Sequence, residues 1–333
     1  MNILSISAKF ILFTLISIPL YSYALIIGVG GHPEGFNGTA ADYVSLLQKY
    51  NMQSLRTDYL WSEVEKNKGF YGPVNTRTEA VINASYRKGV SSLLILGYGN
   101  NYYSNGKPRD FNTLSAYVNY VSWTSNHFKG RKYIYEIWNE WPHRNKNNFE
   151  PISKESAQDY FNLVKAASKA IRKNDPSAII LAGGFNPIDG YEKKWAFNLI
   201  KLGIMDYIDG LSIHPYAYVN RHLADPKVNL PLIQQFYYKA KTLSNNKPIN
   251  LYITEVGYPT YNGDGHFNQA DVEKYAREYF HIIDQLPFIK GVWWYDLKDD
   301  GDDKYNKEHN FGIMDYKLKN KALGNFFMEK KQN

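Results

Sequence analysis

The sequence predicts an α/β protein, a single (β/α)8 barrel with long loops at the C-terminal face of its strands. Eight short runs rich in β-branched and aromatic residues alternate with eight stretches in which apolar residues have helical spacing. The four longest irregular stretches, 99–110, 141–154, 216–230 and 298–316, all follow predicted strands. In a barrel these loops gather at the face where active sites are built.

The predicted elements cover the chain from residue 25 almost to its end. The strands are 25–31, 52–58, 91–99, 133–140, 178–184, 210–216, 250–258 and 291–297, and the helices are 39–50, 76–88, 113–128, 156–173, 193–207, 231–243, 269–285 and 320–328. Local signals support the helix ends: Asp175-Pro176 ends the fourth helix, Pro231 begins the sixth, and Asn268 with Asp271 caps the seventh.

An open, doubly wound sheet is the alternative for this alternation. Such a sheet would carry a glycine-rich phosphate turn between its first strand and first helix. Here Gly28-Val29-Gly30-Gly31 is followed by His32-Pro33 rather than by a helix start. The closed barrel is therefore favoured. The absence of repeats and linkers in the sequence predicts a single domain that covers residues 25–333.

Residues 1–24 have the pattern of a signal peptide. Lys9 precedes an apolar stretch at 10–20, and Ser22-Tyr23-Ala24 supplies small residues where signal peptidase cuts. An uncleaved membrane anchor is the alternative, although Pro19 and the shortness of the apolar run oppose a membrane span. We expect an exported protein, periplasmic or secreted, with no stable membrane insertion after cleavage.

Composition narrows the possible partners. The net charge is +7, but no nucleic-acid-binding motif accompanies it, so no nucleic-acid partner is expected. The surplus leaves open an attraction to anionic polysaccharides. Aromatic residues reach 16%, and aromatic rings suit the apolar faces of sugars. The chain has no cysteine, so disulfides are excluded.

Two predicted strands end in a carboxylate. Glu140 ends the fourth strand and Glu255 ends the seventh, each within an aromatic-rich run. Carboxylates at the ends of buried strands are costly unless they have partners or a use. Cleavage of a glycosidic bond uses such a pair, one to protonate the leaving oxygen and one to attack or to activate water.

The segments around these residues resemble motifs of clan A glycoside hydrolases. They are EIWNE at 136–140, ITEVG at 253–257, RTDYLWSEVE at 56–65, and WYD at 294–296 with EHNFG at 308–312. The resemblance is closest to glycoside hydrolase family 39 and to related bacterial hydrolases of biofilm exopolysaccharide. One departure is that Trp141, rather than proline, follows Glu140.

The resemblance implies that Glu140 is the acid/base and Glu255 the nucleophile. Arg56, at the end of the second strand, would keep Glu255 ionised. Apolar walls from Trp138 and Trp141, and the absence of a cation, would help Glu140 hold its proton. Asn139 would bind the sugar 2-hydroxyl. Because successive strand residues alternate in direction, placing both Asn139 and Glu140 at the substrate requires a bulge or twist.

Other candidates for substrate binding lie at neighbouring strand ends. His214 would bond a sugar hydroxyl, Tyr216 would donate to Glu255, and Trp294 would form a stacking platform, with Trp293 in the core. His32 is a further candidate. The buried acid Glu136 is expected to be structural. The acidic run 299–303 lacks the spacing of a calcium loop, so no metal is expected.

The sequence thus predicts a retaining glycosidase that needs no cofactor and is endo-acting on a bacterial cell-surface or exopolysaccharide. An exo-acting β-xylosidase or uronidase is one alternative. A non-catalytic carbohydrate-binding protein on the same barrel is another. The sequence makes no prediction of oligomeric state.

Overall fold

The computed structural model describes residues 25–103, 105–144 and 148–330. The predicted signal peptide, residues 1–24, lies outside the described residues. None of the described helices is both long and apolar enough to cross a membrane.

Eight parallel strands close into a barrel in chain order, which confirms the predicted fold class. They are β1 (Ile26–Gly30), β2 (Ser54–Asp58), β3 (Ser91–Leu96), β4 (Ile134–Ile137), β5 (Ile179–Phe185), β6 (Gly210–Ile213), β7 (Leu251–Val256) and β8 (Ile289–Trp294). The last strand pairs with the first, with Gly28 opposite Trp293. The sheet therefore has no free edge.

The eight predicted helices are present, and the described residues contain two further helices of four residues each. The helices are α1 (Ala40–Lys49), α2 (Trp61–Val64), α3 (Thr76–Arg87), α4 (Phe111–His127), α5 (Lys154–Asn174), α6 (Gly190–Lys201), α7 (Arg221–Ala224), α8 (Pro226–Leu243), α9 (Gln269–Ile283) and α10 (Ala322–Glu329). The predicted caps at Asp175 and Asn268 are both observed.

The predicted start of the sixth helix at Pro231 is wrong. The corresponding helix, α8, begins at Pro226, and Pro231 lies inside it. Asp225 accepts a hydrogen bond from the backbone N–H of Lys227, so Asp225-Pro226 supplies both the cap and the first-turn proline. Consequently α7 and the start of α8 occupy most of the predicted loop 216–230.

Large side chains fill the lower part of the barrel interior and form the floor of the site. They are Leu93, Ile95, Ile134, Leu181, Tyr252 and Trp293. Trp293 needs the missing side chain of Gly28, since a Cβ there would lie 2.3 Å from its indole ring. The Trp293 indole N–H donates to Ser54 Oγ at 3.1 Å. Arg56, two residues after Ser54 on β2, lies above this floor, toward the C-terminal ends of the strands.

Candidate active site

Glu140 and Glu255 meet over one cavity at the C-terminal end of the barrel. The cavity has a volume of about 550 Å³, and both glutamates line it together with Arg56, Asn139 and His214. One carboxylate oxygen of Glu140 and one of Glu255 lie within 4.8 Å of each other. Two carboxyl groups that are 115 residues apart in sequence are thus brought to opposite sides of a space that a sugar can enter.

The Arg56 guanidinium connects three strands beneath this cavity. Its Nε donates to Glu136 at 2.8 Å, its Nη1 to Glu255 at 2.6 Å, and its Nη2 to Asn139 at 2.9 Å. Arg56 is 4% exposed and Glu136 is fully buried. The contact expected between Arg56 and Glu255 is therefore present. Each of the three guanidinium nitrogens donates one hydrogen bond, which fixes the group in position.

A bulge in β7 directs Glu255 into the cavity. Between β7 and β8, Ile253 pairs with Val292 and Val256 pairs with Trp294, so β7 contains one extra residue at this point. As a result the adjacent residues Thr254 and Glu255 both reach the site. Thr254 donates a hydrogen bond to Glu136, and Glu255 accepts one from Arg56. In a regular strand the two side chains would point to opposite faces.

The end of β4 also departs from regular strand geometry, as the sequence required. The strand ends at Ile137, and Trp138 and Glu140 have φ angles of +62° and +48°. Both Asn139 and Glu140 then line the cavity. Gly184 of β5 packs against this turn, because a Cβ there would lie 2.7 Å from the backbone N of Glu140.

His214 connects Glu140 to the buried acid Glu136. Its Nδ1 lies 3.1 Å from Glu140 Oε1, and its Nε2 lies 2.9 Å from Thr254 Oγ1. The Thr254 hydroxyl donates to Glu136 Oε1 at 3.0 Å. With the hydroxyl donating to Glu136, His214 Nε2 must donate to Thr254. The expectation that His214 binds a sugar hydroxyl is wrong, since both ring nitrogens are occupied and the side chain is buried.

The carboxylates around His214 keep its ring protonated. Burial alone would lower the pKa of His214, but the charge of Glu255 and the contacts with Glu136 and Glu140 raise it to about 10. Burial would raise the pKa of Glu136, but the charges of Arg56 and His214 lower it to about 2. The floor of the site is thus a network of fixed, opposite charges.

Glu140 has a cationic neighbour, contrary to the sequence prediction. Burial acts to raise its pKa, but the hydrogen bond and charge of His214, followed by the charges of His143 and Arg56, lower it. Trp138 and Trp141 do not form walls around this carboxyl group. Trp141 is fully buried, and neither ring lines the cavity. The hydrogen bond and charge of His214 therefore favour the ionised form of Glu140.

Both oxygens of Glu255 are held by donors. Arg56 Nη1 donates to Oε1, and the Tyr216 hydroxyl donates to Oε2 at 2.9 Å, as expected from the sequence. The Glu255 side chain is 12% exposed at the bottom of the cavity. Glu255 is therefore an oriented carboxylate that a substrate can reach.

Trp294 is not at the site, and the prediction of a stacking platform there is wrong. It is fully buried and packs against Tyr258 and Phe327, outside the strands. Tyr295, one residue later, lines the cavity instead. Strand alternation from Trp293, which faces the barrel interior, puts Trp294 on the helix side and Tyr295 on the cavity side.

Two cavity residues near the first strands complete the site. His32 lines the cavity, as predicted. Asp58, which the sequence analysis missed, also lines it, and its Oδ1 is buried without a hydrogen-bond partner among the described residues. Asp58 lies two residues after Arg56 on the same strand, so the alternation that placed Arg56 at the site also points to Asp58.

Residues 25–299 match the model of the cellulase family, glycosyl hydrolase family 5. The chain belongs to this family. It is a glycoside hydrolase, which agrees with the predicted clan A resemblance and with the two carboxyl groups in the cavity. A comparison with curated proteins finds no significant match.

Solved structures with the same fold include members of several glycosidase families. A family 39 glycoside hydrolase from Bacteroides cellulosilyticus WH2 has a TM-score of 0.75 at 22% identity, covering 92% of this chain and 63% of that chain. Xylanase 10B from Thermotoga maritima has a TM-score of 0.68 at 15% identity, covering 92% and 95%. A variant of GH5_18 from Streptomyces cattleya has a TM-score of 0.70 at 12% identity, covering 92% and 80%. The chain thus spans less than two thirds of the family 39 protein.

The contact between Gly184 and the turn carrying Glu140 predicts that Gly184→Ala displaces the carboxyl group. Gly184 has a φ of +58°, so an alanine there would have a strained backbone conformation. Its Cβ would also clash with the Glu140 backbone. A displacement of about 1 Å can lower the rate about 10²-fold. We expect a loss of kcat of that order, measured on any substrate the enzyme cleaves.

Gly190→Ala is the matched control, because no atom lies within 4 Å of a Cβ at Gly190. Its kcat should equal that of the unmodified enzyme. If Gly184→Ala also kept the kcat of the unmodified enzyme, the proposed contact between Gly184 and the turn carrying Glu140 would be contradicted.

Proposed function

We propose that this protein is an exported, retaining, endo-acting glycoside hydrolase that cleaves a bacterial cell-surface or exopolysaccharide. The observation that carries the mechanism is the separation of the two carboxyl groups. Retaining glycosidases hold their carboxyl groups about 5–5.5 Å apart, and inverting enzymes about 6.5–9.5 Å. The nearest oxygens of Glu140 and Glu255, within 4.8 Å, support retention.

In the first step Glu255 attacks the anomeric carbon as the bond from that carbon to the leaving oxygen breaks. Glu140 donates its proton to the leaving oxygen, so the product departs as a neutral alcohol. Arg56 and Tyr216 orient Glu255 for the attack. Asn139, held through its Oδ1 by Arg56, directs its amide group toward the substrate 2-hydroxyl.

In the second step water resolves the glycosyl-enzyme. The sugar ester has neutralised Glu255, which removes one negative charge near Glu140. Glu140 accepts a proton from the water as its oxygen attacks the anomeric carbon, and Glu255 leaves as a carboxylate. His214 stays protonated and stabilises the negative charge of Glu140 while it acts as the base.

Exposed aromatic side chains in the segments after β4 and β5 support endo action. Residues after β4 and β5 lie beside Glu140, which protonates the leaving oxygen, so they face the departing part of the chain. Phe149 and Tyr191 belong to these two segments outside the cavity lining, where they are 49% and 48% exposed with ring centroids 5.6 Å apart. The Arg144 guanidinium lies 4.7 Å from the Tyr191 ring centroid. Exposed aromatic rings of this kind stack on further sugar residues.

The charges of the cavity do not favour a uronidase or an anionic substrate. Among the described residues that line the cavity, the cations are Arg56, Lys307 and the protonated His214, whose ring nitrogens are bonded to Glu140 and Thr254. Arg56 is used by Glu136 and Glu255, and Lys307 contacts Tyr218 and Glu308. No uronate-binding cation is available among these residues, so neutral or basic sugars fit better.

Replacing either carboxyl group tests the function. We expect Glu255→Gln to abolish turnover and Glu140→Gln to lower kcat about 10²–10⁴-fold, because general acid catalysis contributes about that much. Activity would be measured by sizing the fragments of a panel of bacterial polysaccharides, with Glu278→Gln on α9 as the control. Azide should restore turnover to Glu255→Ala and give a product of inverted configuration.

Full activity in either glutamine variant would contradict the assigned roles. Binding of a polysaccharide without cleavage by the unmodified protein would support the non-catalytic alternative.

Replacing His214 should change the pH dependence of the reaction. Glu140 must be protonated to act as the acid, so activity falls as pH rises through its pKa. The positive charge of His214 lowers that pKa. His214→Gln removes the charge, and the alkaline limb of the kcat/KM profile should move up by about 1–3 pH units.

His127→Gln, which affects a histidine paired with Glu79 on the helical layer, is the control and should leave the profile unchanged. An alkaline limb that stays in place, or moves down, in His214→Gln would show that His214 does not control Glu140.

Removing one aromatic ring tests endo action. Tyr191→Ala should raise KM for long oligosaccharides about 2- to 10-fold and leave KM for a short aryl glycoside unchanged, since one aromatic contact contributes about 0.5–1.5 kcal/mol. Tyr238→Ala, at an exposed tyrosine of α8, is the control. Release of single sugars from chain ends, with no effect of Tyr191→Ala, would favour an exo-acting enzyme.

A further inference from the structure

A second cavity adjoins the catalytic cavity and shares His32 with it. Its volume is about 270 Å³, and Asp296 and Asp300 line it. His32 follows β1, whereas the two aspartates follow β8. Because β1 and β8 are paired in the barrel, the loops that carry these three side chains meet at its C-terminal end.

The three side chains surround a common point without touching one another. His32 Nε2 lies 4.0 Å from Asp296 Oδ2 and 3.8 Å from Asp300 Oδ2. One atom of each lies within 4.8 Å of the others. These separations are too long for hydrogen bonds. A point equidistant from such atoms lies about 2.1–2.5 Å from each, which covers the bond lengths of Zn²⁺ and Ca²⁺ to nitrogen and oxygen.

Asp296 is a buried carboxyl group that lacks a partner on one side. It is 2% exposed, and its Oδ1 accepts no hydrogen bond from any described residue. A buried carboxyl group in this state is costly, and a bound cation would remove the cost.

Neighbouring lysines do not supply that cation. The Lys321 ammonium donates to Asp299 and Thr260. Lys298 donates to the Asp299 carbonyl at 3.0 Å, and its ammonium lies 4.5 Å from the ring centroid of Tyr316. Asp299 is thus held by lysines, while Asp296 and Asp300 are not.

Glu140, His214 and Glu255 form the other group of potential metal ligands among the described residues. Their situation is different, because these side chains are already bonded to protein groups. His214 contacts Glu140 and Thr254, and Glu255 accepts from Arg56 and Tyr216. A cation there would have to displace these hydrogen bonds. Within the part of the chain that the structure describes, the side chains of His32, Asp296 and Asp300 have no such hydrogen bonds to lose.

We propose that a divalent metal cation binds between His32 Nε2 and the carboxylates of Asp296 and Asp300, with water completing its coordination. One imidazole and two carboxylates favour Mn²⁺ or Zn²⁺ over Mg²⁺. The ion ties the loop after β1 to the loop after β8. It thereby fixes His32, and the adjoining Tyr295, at the wall of the catalytic cavity.

Titration of the full chain with Mn²⁺, after treatment with a chelator, tests the site. Loss of the electron paramagnetic resonance signal of free Mn²⁺ should show one bound ion per chain, and the ion should raise Tm. Asp300→Asn and His32→Gln should each weaken binding at least tenfold. Both residues are partly exposed, so these variants are expected to fold. Asp302→Asn, at an exposed acid of the same loop, should bind Mn²⁺ like the unmodified chain.

Absence of saturable Mn²⁺ binding by the folded chain would overturn the proposal. So would an equal loss of affinity in Asp300→Asn and Asp302→Asn, which would indicate a diffuse acidic surface. The experiment measures metal binding rather than hydrolysis. The metal-site proposal can therefore fail without any bearing on the proposed enzymatic function.

Discussion

The buried guanidinium of Arg56 is the interaction on which the rest of the site depends. It joins Glu136 of β4, Asn139 in the turn that follows, and Glu255 of β7. Removing one partner of such a buried ion pair typically costs about 3–5 kcal/mol, because the remaining charges are left uncompensated. Arg56 therefore positions Glu255, the carboxylate that attacks. Its positive charge also allows Glu136 and Glu255 to lie close together.

The chemistry also depends on two departures from regular strand geometry. A bulge in β7 brings Thr254 and Glu255 to the same side. The turn after β4 brings Asn139 and Glu140 to the same side, with Gly184 of β5 packed against it. Regular alternation would leave half of these side chains among the helices. The barrel supplies rigidity, and the irregular strand ends aim the functional groups.

Much of the fold was predictable because its signals are local. The alternating pattern gave the strands and helices, and the strand-end positions of Arg56, Glu140 and Glu255 gave the centre of the site. The errors arose where non-local contacts decide. The direction in which Trp293 and Trp294 face depends on the space left by Gly28, and the cationic neighbour of Glu140 is His214, directly after β6. Two other features do have local signals. Strand alternation from Arg56 predicts that Asp58 faces the cavity, and Asp225-Pro226 predicts that α8 begins before Pro231.

In the proposed reaction Glu255, held by Arg56 and Tyr216, becomes covalently bonded to the sugar. The most direct measurement is mass spectrometry of peptides after reaction with a 2-deoxy-2-fluoro glycoside built on the sugar that the enzyme cleaves. We expect a stable glycosyl ester on the peptide that contains Glu255. A label on Glu140 or on any other residue, or hydrolysis of the same reagent with inversion and no labelled peptide, would contradict it.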